Sequence, residues 1–218
     1  MDIFVGIDES INSTGITIEK FQDNQLLDIR FYIVHDEKLT RQETAANNSI
    51  DEFQYLTYKK YNKKDASDNS TIELFKLKNN IQIAEQIMNI INKSISSPMD
   101  HVYIAMEGTS FGSSNTNSLV ELGGLSFLIR YFVYRFFKNN EDHLGGMMIF
   151  SPKEIKKFAT GNGNANKEIM TNLYVKLYPM MNQIKKLDDI ADSYWICAYL
   201  KFLYDQDLDL SGGWHIQN

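Results

Sequence analysis

The sequence predicts an α/β domain with a mixed central β-sheet flanked by helices. Three observations predict it. Apolar runs of strand length, such as Ile3 to Ile7 and Val102 to Met106, alternate with longer segments of helical periodicity. The elements follow as strand, strand, strand, helix, strand, helix, strand, helix, helix, an order that combines a hairpin with strand–helix–strand crossovers. Two of the apolar runs end in an acid, Asp8 and Glu107, at the strand edge where open α/β sheets carry their sites.

Taken in order, Ile3 to Ile7 reads as a strand buried on both faces, with Asp8 at its C-terminal end. Gly15 to Phe21 continues as a second strand, Gln22-Asp23-Asn24-Gln25 is a turn, and Leu26 to Val34 is a third strand. From His35 to Ser70 the pattern gives way to Asn, Asp, Lys, Thr and Ser, broken by Phe53, Tyr55, Tyr58 and Tyr61 among Lys59, Lys60, Lys63 and Lys64. That stretch, at about residues 36–70, reads as an insertion or mobile loop within one domain spanning 1–204. Thr71 to Ser94 places Ile72, Phe75, Asn79, Ile83, Ile87, Ile90 and Ile91 near helical spacing and is closed by Ser96, Ser97 and Pro98. Asn117 to Phe137 is apolar nearly all round, which predicts a helix buried on more than one side, by the core and by a second subunit. Met147 to Phe150 is a short strand, and Ser151-Pro152-Lys153-Glu154 is a helix start with a capping serine and Pro at the first position. Gly161 to Asn166 breaks that helix and Lys167 opens the next. The last helix runs from about Asp188 to Tyr204, followed by a polar tail, 205–218, expected to fray.

The 218 residues suffice for one well-buried core, and 43 % apolar with 12 % aromatic residues is ordinary for a globular chain. No run of about 18 or more apolar residues predicts a membrane span, and Asp2 directly after Met1 does not fit a signal peptide. The single cysteine, Cys197, excludes an internal disulfide framework and a cysteine-based zinc site, and places the chain in a reducing, cytoplasmic setting. A net charge of −6 argues weakly against non-specific nucleic-acid binding, but the distribution of lysines matters more than the sum.

Asp189 and Asp192 stand three apart in the last helix and so share a face, where like charges repel unless something neutralises them. Alone, the pair reads equally well as acids favoured by a helix N-terminus, and Asp8 or Glu107 singly as a loop acid. Together the four supply what a pair of hard divalent cations requires: several carboxylates, from separate elements, converging on ions roughly 3.5–4 Å apart.

The order strand–Asp8, strand–Glu107, helical Asp189-Ile190-Ala191-Asp192 resembles the RuvC-type Holliday junction resolvases of the RNase H-like superfamily. Thr14-Gly15 is similar to the family's turn after its first acid, and Leu122-Gly123 to its Leu-Gly pair. Ser151-Pro152-Lys153-Glu154-Ile155-Lys156, then Gly161, Gly163, Ala165 and Lys167, resembles its basic helix, glycine-bearing loop and following lysine. The resemblance spans most of the chain apart from residues 36–70 and the tail.

The resemblance implies an RNase H-like fold and a homodimer that cuts branched DNA at four-way junctions by paired nicks, leaving 5′ phosphates. It implies two Mg²⁺ or Mn²⁺ ions held by Asp8, Glu107, Asp189 and Asp192, with Lys167 beside the scissile phosphate and Lys153, Lys156 and Lys157 on the DNA backbone. The compact chain and its Asn/Lys-rich insertion fit a viral or phage member, active in the host cytoplasm. The chain departs from the family at Glu9-Ser10, where Pro-Gly is usual. Phe111 stands one residue beyond the family's aromatic wedge, so it either stacks on a base or anchors its loop on the core. The Tyr55–Lys64 cluster either clamps a DNA arm or keeps an insertion soluble. A less selective branched-DNA nuclease fits the same residues. An actin-like ATP-dependent phosphotransferase shares the Asp, Thr, Gly loop but needs a second domain and phosphate hairpin, and a non-catalytic junction binder does not need the acids.

Overall fold

The computed structural model describes residues 1–36, 38–108, 116–140 and 145–206, with 116–118 described by their backbone alone. Its strands are β1 (Asp2–Asp8), β2 (Ser13–Gln22), β3 (Gln25–His35), β4 (Phe53–Thr57), β5 (His101–Glu107) and β6 (Gly145–Phe150). Its helices are α1 (Arg41–Ser49), α2 (Asn69–Ser94), α3 (Thr116–Asn139), α4 (Pro152–Thr160), α5 (Lys167–Leu177) and α6 (Leu187–Asp205). The strands form one sheet in the order β4, β3, β2, β1, β5, β6. β2 is antiparallel to β1 and β3, and the other neighbouring pairs are parallel. The C-terminal ends of β1, β3, β4, β5 and β6 therefore share one edge with the start of β2. Asp23 and Asn24 close the β2–β3 hairpin with φ of 51° and 62°, a left-handed pair that matches strand twist and that Asp and Asn tolerate.

Side-chain alternation gives the sheet two apolar faces. Ile3, Val5 and Ile7, with Ile16, Ile18, Ile104 and Met106, pack under α2 and α3. Phe4 and Ala105 point the other way, toward α4, α5 and α6. These side chains are almost wholly buried, the larger ones each stabilising the fold by about 2 kcal/mol, and a one-residue slip in register would exchange the two layers and send Asp8 or Glu107 to the wrong face. The same alternation sends Asp8 and Glu107 to the α6 side. α6 lies on β1 and β2 with backbone touching backbone: a Cβ on Gly6 would stand 2.2 Å from the Ser193 carbonyl oxygen, and one on Gly15 2.1 Å from that of Asp189. A buried hydrogen bond between the hydroxyls of Thr17 and Ser193, 2.9 Å, fixes the helix along the strand.

The stretch from His35 to Ser70 corrects the loop expectation. It holds α1, opened by a capping box in which Thr40 and Glu43 cap each other, and β4, which extends the sheet parallel to β3 from Phe31↔Phe53 to His35↔Thr57. Phe53, Tyr55 and Tyr58 are core residues, so of the tyrosines in the expected clamp only Tyr61 is exposed. The Tyr55 hydroxyl donates to the Lys185 carbonyl at 3.0 Å, which braces the turn ahead of α6. Both elements are short, and their sequence signals are correspondingly slight: the capping pattern Thr40-x-x-Glu43 and the alternation Phe53-x-Tyr55. No helix among the described residues is long and apolar enough to cross a membrane.

Glu19 on β2 also faces α6 and is 6 % exposed. Burial lifts its carboxyl to about 7, against the opposing pull of the Lys201 ammonium. The native state therefore holds a proton that the unfolded chain releases near pH 4.5, and stability falls as pH rises from there through about 7. Glu19→Gln is expected to remove that loss and to stabilise the protein at pH 8 by on the order of 2–3 kcal/mol while changing little at pH 4. Denaturant midpoints measured at both pH values check it; an equal change at both would mean that ionisation of Glu19 is not the cause.

Candidate active site

Asp8 and Glu107 end adjacent parallel strands, where Ile7 lies beside Met106. The β1–β2 turn that follows Asp8 is held from both sides. Tyr58 donates its hydroxyl to the Ile11 carbonyl at 3.3 Å, and Lys186 donates its ammonium to that of Asn12 at 3.3 Å. Inside the turn, Thr14 Oγ1 donates to the Ser10 carbonyl at 2.8 Å. Lys186 also caps α6 in a left-handed conformation, φ 57°, with no side-chain cap on the helix. Asp188 and Asp189 in that uncapped first turn are favoured by the helix dipole, and Asp192 follows one turn on.

α4 begins as predicted: Ser151 and Glu154 form a capping box with Pro152 in the first turn. The helix ends at Gly161, and Asn166 caps α5 by accepting from the Ile169 amide at 2.9 Å. Lys167 thus stands in the first turn of a helix, where the dipole disfavours a cation. It is held there by carboxylates of α6: its Nζ lies 3.0 Å from Asp188, 3.1 Å from Asp192 and 3.7 Å from Asp189.

These groups act on one another's charge. Burial raises Asp8 well above the usual carboxylate range, and Asp192, Asp189 and Glu107 add to it while Lys167 opposes. Burial and Asp192 push Glu107 up to about 7 against Lys156 and Lys167. Asp189 is raised by burial, with the Ser13 hydroxyl holding it down, and Asp192 is raised by burial against Lys167. Burial works against a charged Lys167, yet Asp192, Asp188 and Asp8 hold its ammonium above the usual range. Lys167 thus acts on all four partly desolvated acids, and Lys156 on Glu107 and Asp192.

Among the described residues no three of His, Cys, Asp and Glu stand close enough to hold an ion as placed. The donor chemistry nevertheless fits a hard divalent cation: all four groups are carboxylates, the oxygen donors such an ion takes, and the Lys167 ammonium already lies 3.1 Å from Asp192 and 3.7 Å from Asp189.

The structure brings together Asp8, Glu107, Lys167, Asp189 and Asp192. Lys156 joins them, lining a cavity of about 150 Å³ with Glu107, Lys167, Met170 and Asp192. Lys153 and Lys157 lie on the exposed side of α4, outside that cavity. Phe111 and the tail beyond residue 206 lie outside the described residues. Glu9, where the chain departs from the family pattern, turns to the opposite face of the sheet. It is buried, its Oε1 accepts from the Ser126 hydroxyl of α3 at 3.0 Å, and its Oε2 has no hydrogen-bond partner among the described residues. Burial lifts Glu9 to about 7 against Ser126 and Arg130, with Glu107 adding to the rise. Asp188 was missed by sequence reasoning, because its partner Lys167 lies on another helix and neither position advertises the pairing.

No family model matches the chain, and no curated protein matches it in sequence. Solved structures do match in shape. The RuvC structure from Thermus thermophilus has a TM-score of 0.53 at 12 % identity, covering 94 % of this chain and 97 % of that one. T. thermophilus RuvC in complex with a Holliday junction substrate gives 0.55 at 12 % identity, with 95 % and 98 % covered. The yeast mitochondrial Holliday junction resolvase Ydc2 gives 0.50 at 16 % identity, with 93 % and 83 % covered. The likeness takes in more than nine-tenths of this chain each time, and the mixed sheet flanked by helices described above has the RNase H-like fold.

Proposed function

We propose that the chain is a metal-dependent, structure-selective DNA endonuclease that resolves four-way junctions by paired nicks. The observation that carries this reading is the convergence of Asp8, Glu107, Asp189 and Asp192 from three elements at the sheet edge, with Lys167 among them. Two Mg²⁺ or Mn²⁺ ions held by those four carboxylates would supply an activated water and charge neutralisation at the departing 3′ oxygen, leaving a 5′ phosphate. Lys167, already within reach of Asp188 and Asp192, places its ammonium beside the scissile phosphate as negative charge develops. Lys156 sets a second cation at the cavity wall, against the phosphate backbone, and the exposed Lys153 and Lys157 continue that basic face.

Paired nicks require two sites related by two-fold symmetry. The outer face of α3 supports a homodimer: Val120 is 76 % and Phe127 71 % exposed, and they border a groove of about 610 Å³ between α2 and α3 with Leu77 and Tyr131. Exposed apolar area of that kind is stabilised by covering it.

The test is incubation with a labelled four-way junction, a duplex and a flap, with Mg²⁺ and then with EDTA. Symmetric nicks confined to the junction and abolished by EDTA are expected. Equal cutting of the flap would select the less selective nuclease, and ATP hydrolysis without cleavage the phosphotransferase.

A further inference from the structure

The segment Tyr58–Lys64 leaves β4 at the same sheet edge that carries the acids and crosses it on the α2–α3 side. It carries four lysines in six residues, Lys59, Lys60, Lys63 and Lys64, yet its backbone is fastened at nearly every step. The Tyr58 amide donates to the His35 carbonyl at 3.2 Å, and buried Tyr58 reaches the Ile11 carbonyl in the turn after Asp8. Gln82 of α2 donates to the Lys59 carbonyl at 2.9 Å. Asn79 accepts from the Tyr61 amide at 2.8 Å and donates to its carbonyl at 3.0 Å. The four lysine side chains remain exposed. Lys60 pairs with Asp36 and Lys63 with Glu121 of α3, whereas Lys59 and Lys64 form no ion pair among the described residues. The Tyr61 ring is 38 % exposed and lies 5.4 Å from Phe75, with Lys78 Nζ 5.0 Å from its centre.

A solubilising surface loop has no need of a backbone held this tightly. A rigid row of lysines beside an exposed aromatic ring has the composition of a nucleic-acid backbone contact. Its place adds to this: Lys156 and Lys167 flank the acids on the α4–α6 side, and on the other face the segment reaches the turn that follows Asp8 through Tyr58. We propose that Tyr58–Lys64 is a second nucleic-acid contact, a basic strap that receives the phosphates of a substrate arm leaving the acids on the α2–α3 side. The proposal rests on the nuclease reading above.

The experiment measures binding of a four-way DNA junction in EDTA across a range of salt concentrations. It uses the full chain, Lys59→Ala/Lys64→Ala, and a control that removes the same charge at the opposite sheet edge, Lys93→Ala/Lys138→Ala. Removing one lysine–phosphate interaction lowers the slope of log affinity against log salt by about 0.9, so the strap variant is expected to drop by roughly 2 in slope and about tenfold in affinity near 0.1 M salt. The control is expected to keep both. Equal slopes for the strap variant and the full chain, or equal decreases in both variants, would overturn the strap while leaving the nuclease reading intact. Absence of DNA binding by the unaltered chain would remove both.

Discussion

Asp192→Asn is expected to lower junction cleavage in Mg²⁺ by about 10³-fold or more, the scale for a group that acts chiefly in the transition state. Binding of the junction in EDTA should stay the same or tighten, because the change removes a negative charge facing a polyanion. The structure makes Asp192 the pivotal acid. It holds Lys167 at 3.1 Å, is the largest charge acting on Asp8, and contributes to the rise of Glu107. Asparagine keeps its shape and relieves repulsion among like charges, so the metal-free thermal midpoint is not expected to fall. Single-turnover cleavage, junction binding and a melting curve read these effects separately, and retained cleavage would end the assignment of Asp192.

Gly15→Ala is expected to damage both fold and chemistry. Its Cβ would stand 2.1 Å from the Asp189 carbonyl oxygen and 2.6 Å from the carbonyl carbon. Neither is the end of a flexible side chain, so α6 itself must move. Overpacking of this kind costs about 3 kcal/mol, roughly 6–12 °C in midpoint for a domain of this size. The helix that shifts carries Asp189 and Asp192, and a displacement of about 1 Å there lowers cleavage on the order of 10²-fold. Gly123→Ala is the comparison. That glycine lies within α3 with nothing within 4 Å of a Cβ, so alanine there should stabilise by about 0.5–1 kcal/mol through helix propensity. Equal stability of the two variants would mean that the close approach of α6 to β2 does not hold in solution.

The two glycines belong to motifs of similar appearance, Thr14-Gly15 and Leu122-Gly123, and the sequence does not say which one is sterically required. The periodicities alone determined the hairpin, the long helices, the capped start of α4 and the two acids at strand ends, because strand and helix repeats and caps are local properties. That Asp8 and Glu107 share a sheet face follows from the parallel register of β1 and β5, Ile7 beside Met106, which alternation within either strand does not set.

Three matters were decided only by the tertiary structure. α1 and β4 replace an expected loop, since their short apolar pattern becomes core only when β4 finds the edge of β3. Lys167 finds Asp188 across two helices, a pairing that depends on how α5 and α6 pack. Glu9, next to the proposed ligand Asp8, turns instead to Ser126 of α3, because consecutive side chains of an extended chain face opposite ways. Sequence supplied the charges and their spacing along the chain; the touching backbones of β2 and α6 at Gly15 decided which of those charges meet.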